Sequence, residues 1–401
     1  MAAIPFVESP TQRTHRALEA AHARIAAHDA ATMRTQVTVS QIAAPTGDEG
    51  ERARWVADRF RSLGLGDARI DAAGNVIATR SGVERGAPVL VCAHLDTVFA
   101  RDVTLTFRRQ GDRVSGPGIG DNGRGLAAML TIAEAIDGRA VRTRRPIVFA
   151  ATTGEEGAGD LRGAKYLFAN LTDAPSAAIA LDGAGDERIV HKALGSRRYH
   201  IDYRGAGGHS WAAFGIPNAV HAAAAAAAML ASLPLPKSPR TTLSVSRIGG
   251  GTSINSIPEE GWLEVDLRST SPAMLDRFDR EIRIIARAAA QQENARRATA
   301  TPPLAHDVLV IGDRPSGEVA ADHPLVLSAI EATQLIDREP ELAAASTDAN
   351  VPIALGIPAI AIGAGGRGGD AHTAGEWYDN VDGPLGIARA LTILTAAAEL
   401  A

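Results

Sequence analysis

Short apolar runs that alternate with helical segments constrain this chain more than any other sequence feature. The runs are rich in Val and Ile and lie at residues 88–93, 146–151 and 177–181. A later part repeats the order helix, strand, helix at residues 325–336, 359–362 and 384–400. Runs that are apolar throughout are typical of parallel strands covered by helices on both faces. The sequence therefore predicts an α/β fold with a mostly parallel sheet covered by helices.

Between these two parts the pattern changes to strand, helix, strand, strand, helix, strand. The predicted elements lie at residues 199–204, 217–232, 241–247, 261–269, 272–294 and 297–302. This βαββαβ order is that of a ferredoxin-like domain. In the strand at 261–269 apolar residues alternate with polar ones, as a sheet with helices on one face requires. We therefore predict a discontinuous domain with a second domain inserted into it, at residues 1–190 and 306–401 and at residues 191–305.

Composition excludes several classes of partner. The chain has 41 Lys and Arg against 46 Asp and Glu, a net charge of −5, and shows no basic stripe, so we expect no nucleic-acid partner. Its most apolar stretch, residues 219–233, is shorter than the ~20 residues that span a bilayer, so we expect no membrane. No signal-peptide pattern is present at the start, and the single cysteine, Cys92, excludes an internal disulfide. We expect a cytoplasmic protein.

Polar residues follow the predicted strands where each strand ends. His94 and Asp96 end the first run, Glu155 and Glu156 follow the second, and Asp182 follows the third. The carboxyl ends of parallel strands meet at one edge of a sheet, which is where ligands bind in open α/β folds. Taken alone, the first pair is equally compatible with a turn cap, and the two glutamates with solvated loop acids. Taken together, they predict one ligand site.

Asp121 and His372 lie in glycine-rich turns that add to this set. Residues 118–123 (GIGDNG) match the G-x-G-x-x-G pattern of dinucleotide-binding loops, but Asp121 would direct a carboxylate at the pyrophosphate. An Asp in such a turn suits a ligand that must reach two metal ions at once. Histidine and carboxylate are the ligands that zinc takes when thiolates are absent. These residues therefore favour a metal site over a nucleotide site.

The ordered set resembles a known family. It consists of His94-Leu-Asp96, Asp121, Glu155-Glu156, Asp182 and His372. This set is similar to that of the metallopeptidase family of glutamate carboxypeptidase, peptidase T, succinyl-diaminopimelate desuccinylase and acetylornithine deacetylase, and the resemblance covers nearly the whole chain. It implies a zinc exopeptidase-like catalytic domain with an inserted ferredoxin-like lid that often forms a dimer contact. Residues 346–350 (STDAN) and the glycine-rich run before His372 favour the peptidase T-like branch.

The resemblance also implies a ligand set. His94 and Asp182 would hold one metal ion, and Glu156 and His372 the other. Asp121 would bridge both ions. The ions would be two Zn²⁺ per chain, with Co²⁺ or Mn²⁺ as alternatives. The resemblance further implies a cis peptide bond after Asp121.

The implied function is hydrolysis of an amide bond of a short peptide by a dizinc exopeptidase. Glu155 would act as the general base, and Asp96 would orient His94. A deacylase of the same chemistry, acting on an N-acyl or N-carbamoyl amino acid, is one alternative. A catalytically inactive member that binds a metabolite is another. Both active alternatives have a small-molecule substrate.

Three residues of the predicted lid carry further expectations. His209, in the sequence GGHS, resembles a histidine that reaches the active site of the partner subunit in a homodimer formed through the lid. Asn255 and Arg268 resemble residues that bind the carboxylate of the substrate. Other interpretations stay open, because His209 could be a turn histidine and Arg268 could form an ion pair within its own domain.

Overall fold

The computed structural model describes residues 8–136, 141–298 and 300–401. The chain divides into two compact units. The first, which we call the main unit, is formed by Met1–Ala193 and Glu318–Ala401, and the second, the inserted unit, by Leu194–Gly317. Among the described residues, no helix is long and apolar enough to cross a membrane.

The first part of the main unit contains helices and short strands in alternation. Its helices are α1 (Pro10–Ala17), α2 (Glu19–Ala27), α3 (Asp29–Ser40), α4 (Gly50–Ser62), α5 (Gly123–Ala135), α6 (Arg162–Asn170) and a 3₁₀ turn at Gly157–Gly159. Its strands are β1 (Arg69–Ile70), β2 (Val76–Arg80), β3 (Val89–His94), β4 (Arg108–Gln110), β5 (Arg113–Ser115), β6 (Ile147–Thr152), β7 (Ala177–Leu181) and β8 (Arg188–Ala193). The three apolar runs of the sequence are β3, β6 and β7, and each is buried along its whole length.

The inserted unit and the second part of the main unit complete the chain. The inserted unit contains β9 (Gly195–Arg204), β10 (Gly208–His209), α7 (Ala219–Ala231), β11 (Thr241–Gly250), β12 (Ser256–Ile257), β13 (Glu260–Ser269), α8 (Pro272–Asn294) and β14 (Ala305–Arg314). The remaining elements are β15 (Gly317–Glu318), α9 (Pro324–Gln334), β16 (Glu341–Ala345), α10 (Asn350–Ala354), β17 (Ala359–Ile362), β18 (Arg367–Gly369), β19 (Trp377–Asp379) and α11 (Gly383–Ala397).

A nine-stranded sheet forms the centre of the main unit. Its order is β1-β2-β6-β3-β7-β17-β8-β15, with β16 pairing to β8. Four adjacent strands at its centre are parallel to one another, in the order β6-β3-β7-β17. The pairs on either side of this group, β2 with β6 and β17 with β8, are antiparallel. Apolar side chains from these strands and from the helices around them form one core. The predicted α/β class with a mostly parallel sheet is confirmed.

The parallel register brings several loops to one edge of this sheet. His94 at the end of β3 pairs with Thr152 at the end of β6. Leu181 at the end of β7 pairs with Ile362 at the end of β17. The segments that follow these four residues therefore leave the sheet side by side, and they carry most of the polar residues that the sequence predicts to form a site. A small antiparallel sheet in the order β18-β19-β5-β4 contributes to the same unit.

The inserted unit is a four-stranded antiparallel sheet in the order β11-β13-β9-β14. Helices α7 and α8 contact this sheet and each other. The apolar face of β13 and residues of β9 form its core with the two helices, as the alternation in the sequence predicts. This order and connectivity are those of the predicted ferredoxin-like βαββαβ fold.

One predicted strand of the inserted unit is wrong. The fourth strand is β14, Ala305–Arg314, instead of residues 297–302. It lies at the edge of the sheet and most of its residues are exposed on both faces, so its sequence lacks the alternation that marks a half-buried strand. Because β14 pairs with β9 along its length, the inserted unit extends to Gly317, beyond the predicted boundary at residue 305.

Candidate metal centre

Five side chains of the main unit converge at this edge of the sheet. Nε2 of His94 lies 2.9 Å from Oδ1 of Asp121 and 3.9 Å from Oδ1 of Asp182. Nε2 of His372 lies 3.2 Å from Oδ2 of Asp121 and 2.9 Å from Oε1 of Glu156. The two carboxylate oxygens of Asp121 therefore face two different histidines. Each histidine also faces a second carboxylate that the other does not, Asp182 for His94 and Glu156 for His372.

The chemistry of these side chains fits metal ions. The ligand atoms of His94, Asp121 and Glu156 all lie within 4.8 Å of one another. Within the described residues, Oδ1 of Asp121 is buried without a hydrogen-bond donor, although an imidazole nitrogen lies 2.9 Å away. Nε2 of His94 and Oδ1 of Asp121 thus approach each other without a hydrogen bond, as two ligands of a shared cation would. Imidazole and carboxylate are ligands of Zn²⁺ and of similar divalent ions.

The pKa values of the cluster also favour a metal site. Burial, together with the nearby charge of Asp121, raises the pKa of Asp182 to about 7. Burial also raises the pKa of Glu156. Hydrogen bonding to Asp121 and attraction to Glu156 raise the pKa of His372 to about 9, although burial opposes this shift. Carboxylates crowded in this way disfavour one another's charge, and a divalent cation between them would relieve the repulsion.

His94 is oriented by a backbone carbonyl. Its Nδ1 lies 3.0 Å from the carbonyl oxygen of Asp96, which can only accept a hydrogen bond. Nδ1 therefore carries a proton, and Nε2 is directed at the carboxylates of the cluster. The carboxylate of Asp96 is further away, at 3.7 Å from Nδ1. The main chain of Asp96 thus holds the ring at Nδ1, with the Asp96 carboxylate close by, and the expected role of that side chain in orienting His94 stays a prediction.

The carboxylate of Asp96 holds the next loop instead. It is fully buried and accepts hydrogen bonds from the backbone N–H groups of Glu155 and Glu156, both at 2.9 Å, and from the hydroxyl of Thr46 at 2.8 Å. Burial alone would raise the pKa of Asp96, but His94 and the two amides outweigh it and lower the pKa to about 2. Asp96 therefore positions the turn that carries the two adjacent glutamates.

Glu155 lies in this turn and is itself buried. The preceding Gly154 has a φ of 63°, a left-handed conformation that suits glycine. The amide of Gly154 donates to Glu49 at 3.1 Å, and Glu49 is paired with Arg162 at 2.6 Å. The negative charge of Glu155 contributes to raising the pKa of His94. Asp96 and Glu49 thus both hold the turn. Glu155 is close enough to the cluster to affect the pKa of His94.

Asn122 is a site residue that the sequence analysis missed. Its side chain donates to the carbonyl of Leu181 at 2.8 Å and accepts from the amides of Gly125 at 3.0 Å and Gly183 at 3.1 Å. It therefore caps α5 and joins the loop of Asp121 to the loop of Asp182. The Asp121–Asn122 peptide bond is cis, as the family resemblance implies. Only its position next to Asp121 could have singled out Asn122.

Glu376 is the second residue that was missed. It is 1% exposed, and its carboxylate accepts three backbone hydrogen bonds from the loop that ends at Asp121. The donors are the amides of Gly118 at 2.8 Å, Gly120 at 2.7 Å and Asp121 at 2.7 Å. Nothing in the sequence distinguishes it from a solvated acid, because bonds to backbone amides require no particular partner residue.

The remaining predicted residues lie in the inserted unit. His209 is exposed on the two-stranded ribbon that β10 forms with β12. Its Nδ1 accepts from the amides of Trp211 at 3.2 Å and Ala212 at 3.4 Å. In the neutral ring Nε2 therefore carries the proton, so that His209 presents a hydrogen-bond donor to its surroundings. Asn255 is exposed, and its Oδ1 accepts from Ser253 at 3.0 Å.

Arg268 is engaged within the inserted unit. Its Nε donates to Asp266 at 2.6 Å, and its side chain is 39% exposed. This is the ion pair within its own domain that the sequence analysis left open. In the main unit, a cleft beside Asp121 and Asp182 offers a further cation, Arg367, which is exposed.

Two protein-family models match overlapping parts of the chain. The model of peptidase family M28 matches residues 75–211, and the model of the peptidase dimerisation domain matches residues 192–294. Carboxypeptidase G2 from Pseudomonas sp. (strain RS-16) is 28% identical over 199 residues, which cover 46% of each chain. The matched segments span less than half of the length of the curated relatives, 16% and 46%.

Solved structures share the fold over nearly the whole chain. The aminopeptidase PepT from Bacillus cereus ATCC 10987 superposes with a TM-score of 0.73 at 22% identity, covering 92% of this chain and 98% of that one. A tripeptidase from Staphylococcus aureus subsp. aureus gives a TM-score of 0.74 at 22% identity, with the same coverage. The Saccharomyces cerevisiae dipeptidase Dug1p gives 0.73 at 14% identity, covering 96% and 99%.

Parts of this chain thus match two peptidase family models, and its fold is that of solved peptidase structures. The predicted resemblance to the family of glutamate carboxypeptidase and peptidase T is confirmed.

Proposed function

We propose that the protein is a dinuclear metal hydrolase that removes a terminal residue from short peptides. The observation that carries this proposal is the geometry of Asp121, whose two oxygens face His94 and His372 separately. A carboxylate placed in this way can bridge two ions. His94 with Asp182 would complete one site, and His372 with Glu156 the other.

Zinc is the ion we propose, with Co²⁺ or Mn²⁺ able to replace it. Two bound ions would supply Lewis acidity and lower the pKa of water to about 7. The carboxylates Asp121, Glu156 and Asp182 contribute three negative charges against the four positive charges of two ions. The site would therefore be left with one positive charge, which favours an anionic nucleophile and a developing negative charge on the substrate.

Glu155 is the general base in this proposal. It directly precedes a ligand, Glu156, and its backbone is held by Asp96 at 2.9 Å. A carboxylate held beside two cations can accept a proton from water and pass it to the leaving amine. Asp96 supports this role by holding both glutamates in one turn, so that one can bind metal while the other handles the proton.

The inserted unit is proposed to act as a lid and as the contact of a homodimer. The dimerisation-domain match covers most of it. Near His209 and Asn255, three large apolar side chains are unusually exposed: Trp211 and Phe214 are 88% exposed and Ile254 is fully exposed. Burial of this surface against a second copy would bring His209, which presents an N–H donor, to the partner's substrate. Asn255 and Arg268 would bind its carboxylate.

The substrate class is tested by direct competition. The zinc-loaded protein is incubated with a mixture of dipeptides, tripeptides, N-acyl amino acids and N-carbamoyl amino acids, and the products are followed by mass spectrometry. We expect the short peptides to be consumed, in keeping with the peptidase T-like branch. Consumption of the acyl or carbamoyl amino acids alone would instead assign the chain as a deacylase of the same chemistry.

Metal dependence is tested in the same assay. Chelation should abolish turnover without unfolding the core of the main unit, and readdition of zinc should restore it. Metal analysis under saturating zinc should give two ions per chain. A single ion would refute the dinuclear site, and unchanged turnover in chelator would refute metal-dependent hydrolysis.

A further inference from the structure

His372 needs support from its surroundings to serve as a ligand. It has a φ of 66°, in the left-handed region, and its side chain is 54% exposed. A non-glycine residue stays in this conformation only when the surrounding structure holds it there. Because about half of its side chain is exposed, the position of the imidazole depends on the turn that carries it.

Glu376 closes this turn. Its amide donates to the carbonyl of Thr373 at 3.1 Å, and the amide of Thr373 donates in turn to Asp370 at 3.2 Å. The strand β19 begins at the next residue and pairs with β18 and β5. The main chain of Glu376 is therefore the point at which the turn of His372 joins a sheet.

The same residue also binds the loop of Asp121. Its carbonyl accepts from the amide of Gly116 at 2.8 Å, and its buried carboxylate accepts from Gly118, Gly120 and Asp121. Four hydrogen bonds thus connect Glu376 to residues 116–121. The two segments that meet at this residue each carry a ligand of the same proposed ion, and the ligand atoms lie 3.2 Å apart.

We propose that Glu376 is a positioning residue that sets the separation of His372 and Asp121 and so maintains one of the two metal sites selectively. This inference rests on the proposed dinuclear function. The other site depends less on Glu376, because Asp121 is the only one of its ligands on a segment that Glu376 holds. His94 is the last residue of β3, and Asp182 follows β7 directly, with its amide bonded to Ile362 at 3.0 Å. The central sheet holds those two ligands.

The test measures zinc binding by Glu376→Gln against a competing chelator, with no reference to activity. The amide keeps the size of the side chain but replaces one acceptor oxygen with a donor that faces backbone N–H groups. Loss of such a supporting partner typically weakens metal binding by about 10–100-fold. We expect the ion held by His372 and Glu156 to be bound about 10–100-fold more weakly, and the ion that shares only Asp121 to be weakened much less.

Two further variants identify the ion that is lost. His372→Ala should remove the same ion, so adding Glu376→Gln to it should cause little further loss. Asp182→Asn should weaken the other ion, so its combination with Glu376→Gln should weaken both. Glu376→Asp, which keeps the charge but is one methylene shorter, provides a second variant should the Gln variant fold poorly, and it should show the same selectivity.

Glu293→Gln is the matched control. Glu293 is a buried carboxylate of the inserted unit that accepts a hydrogen bond from the backbone amide of Asn218 at 2.9 Å. Its substitution should cost stability but leave both zinc affinities unchanged. Equal weakening of both ions in Glu376→Gln, or no weakening, would refute the positioning role while leaving the dinuclear function intact. A wild-type protein that binds fewer than two ions would refute both.

Discussion

Replacement of Asp96 by Asn tests whether this carboxylate holds the turn that carries the two glutamates. Oδ1 of Asp96 accepts from the amide of Glu155, and Oδ2 accepts from the amide of Glu156 and the hydroxyl of Thr46. An asparagine has only one acceptor oxygen, so at least one of these groups must face an NH₂ donor. The least damaging orientation keeps the two bonds at Oδ2 and sacrifices the bond to Glu155.

The structure sets the size of this effect in two ways. Loss of one hydrogen bond to a charged group costs about 1.5–3 kcal/mol. The pKa of Asp96 is lowered from 3.8 to about 2. At about 1.4 kcal/mol per pKa unit this difference corresponds to about 2.5 kcal/mol of stability. Because the folded-state pKa is the lower one, this contribution is present above pH 4 and is lost as the pH falls through about 2.

Urea unfolding of the metal-free protein at pH 7 measures this loss. We expect Asp96→Asn to lower the free energy of unfolding of the main unit by about 2–3 kcal/mol. Hydrogen exchange should show faster exchange at the amides of Glu155 and Glu156, and turnover should fall. Asp279→Asn serves as a control, because this carboxylate accepts from Tyr199 at 2.9 Å but lies in the inserted unit. Unchanged unfolding and exchange in Asp96→Asn would refute the role of Asp96.

Four other outcomes test the remaining assignments. Glu155→Gln should keep its metals but lose about 10²–10⁴-fold in turnover, since an amide cannot accept the proton, whereas Glu156→Gln should weaken one metal; similar behaviour of the two would make the assignment wrong. Mixing inactive His209→Ala chains with inactive Glu155→Gln chains should restore part of the activity if the histidine acts on the partner's site, and proven subunit exchange without recovery would exclude this. Amidating the substrate carboxylate should reduce catalytic efficiency in the wild type but little further in Arg268→Ala, and equal sensitivity in both would assign carboxylate recognition to another residue. Burial and a neighbouring histidine lower the pKa of His22 to about 4, so folding stability should fall by about 2–3 kcal/mol as the pH drops from 7 to 4, and His22→Gln in the same metal-free unfolding assay should remove that part of the decrease.

The sequence predicts those parts of the fold whose residues carry a periodic signal. The buried strands β3, β6 and β7 appear as continuous apolar runs, and β13 appears as an alternation. The strand β14 was placed too early, because an edge strand with two exposed faces has no such signal. The end of the inserted unit is therefore set by the pairing of β14 with β9, which only the structure reveals.

The candidate site shows the same division. Ligand types such as His94 and Asp182 stand out at strand ends, and the resemblance orders them. The contacts of Asp96, Asn122 and Glu376 could not be predicted, because they are made to backbone amides and carbonyls, which every residue possesses. A residue that contributes only its main chain to such a contact can be of any type, so its identity does not reveal the contact.

These backbone contacts follow from what a metal ligand must do. A carboxylate that binds a cation has fewer lone pairs left with which to hold its own loop in place. The loop must then be held by a neighbouring side chain whose acceptors are not needed for metal. Asp96 holds the loop of Glu156 in this way, and Glu376 holds the loop of Asp121, in both cases through amides of the ligand's own segment. Both carboxylates are buried, so water does not compete for these bonds, and each adds a negative charge behind the ligands. We therefore expect substitutions at these two positions to change metal affinity and geometry, whereas substitution of Glu155, which would hold no metal, should change the proton transfer alone.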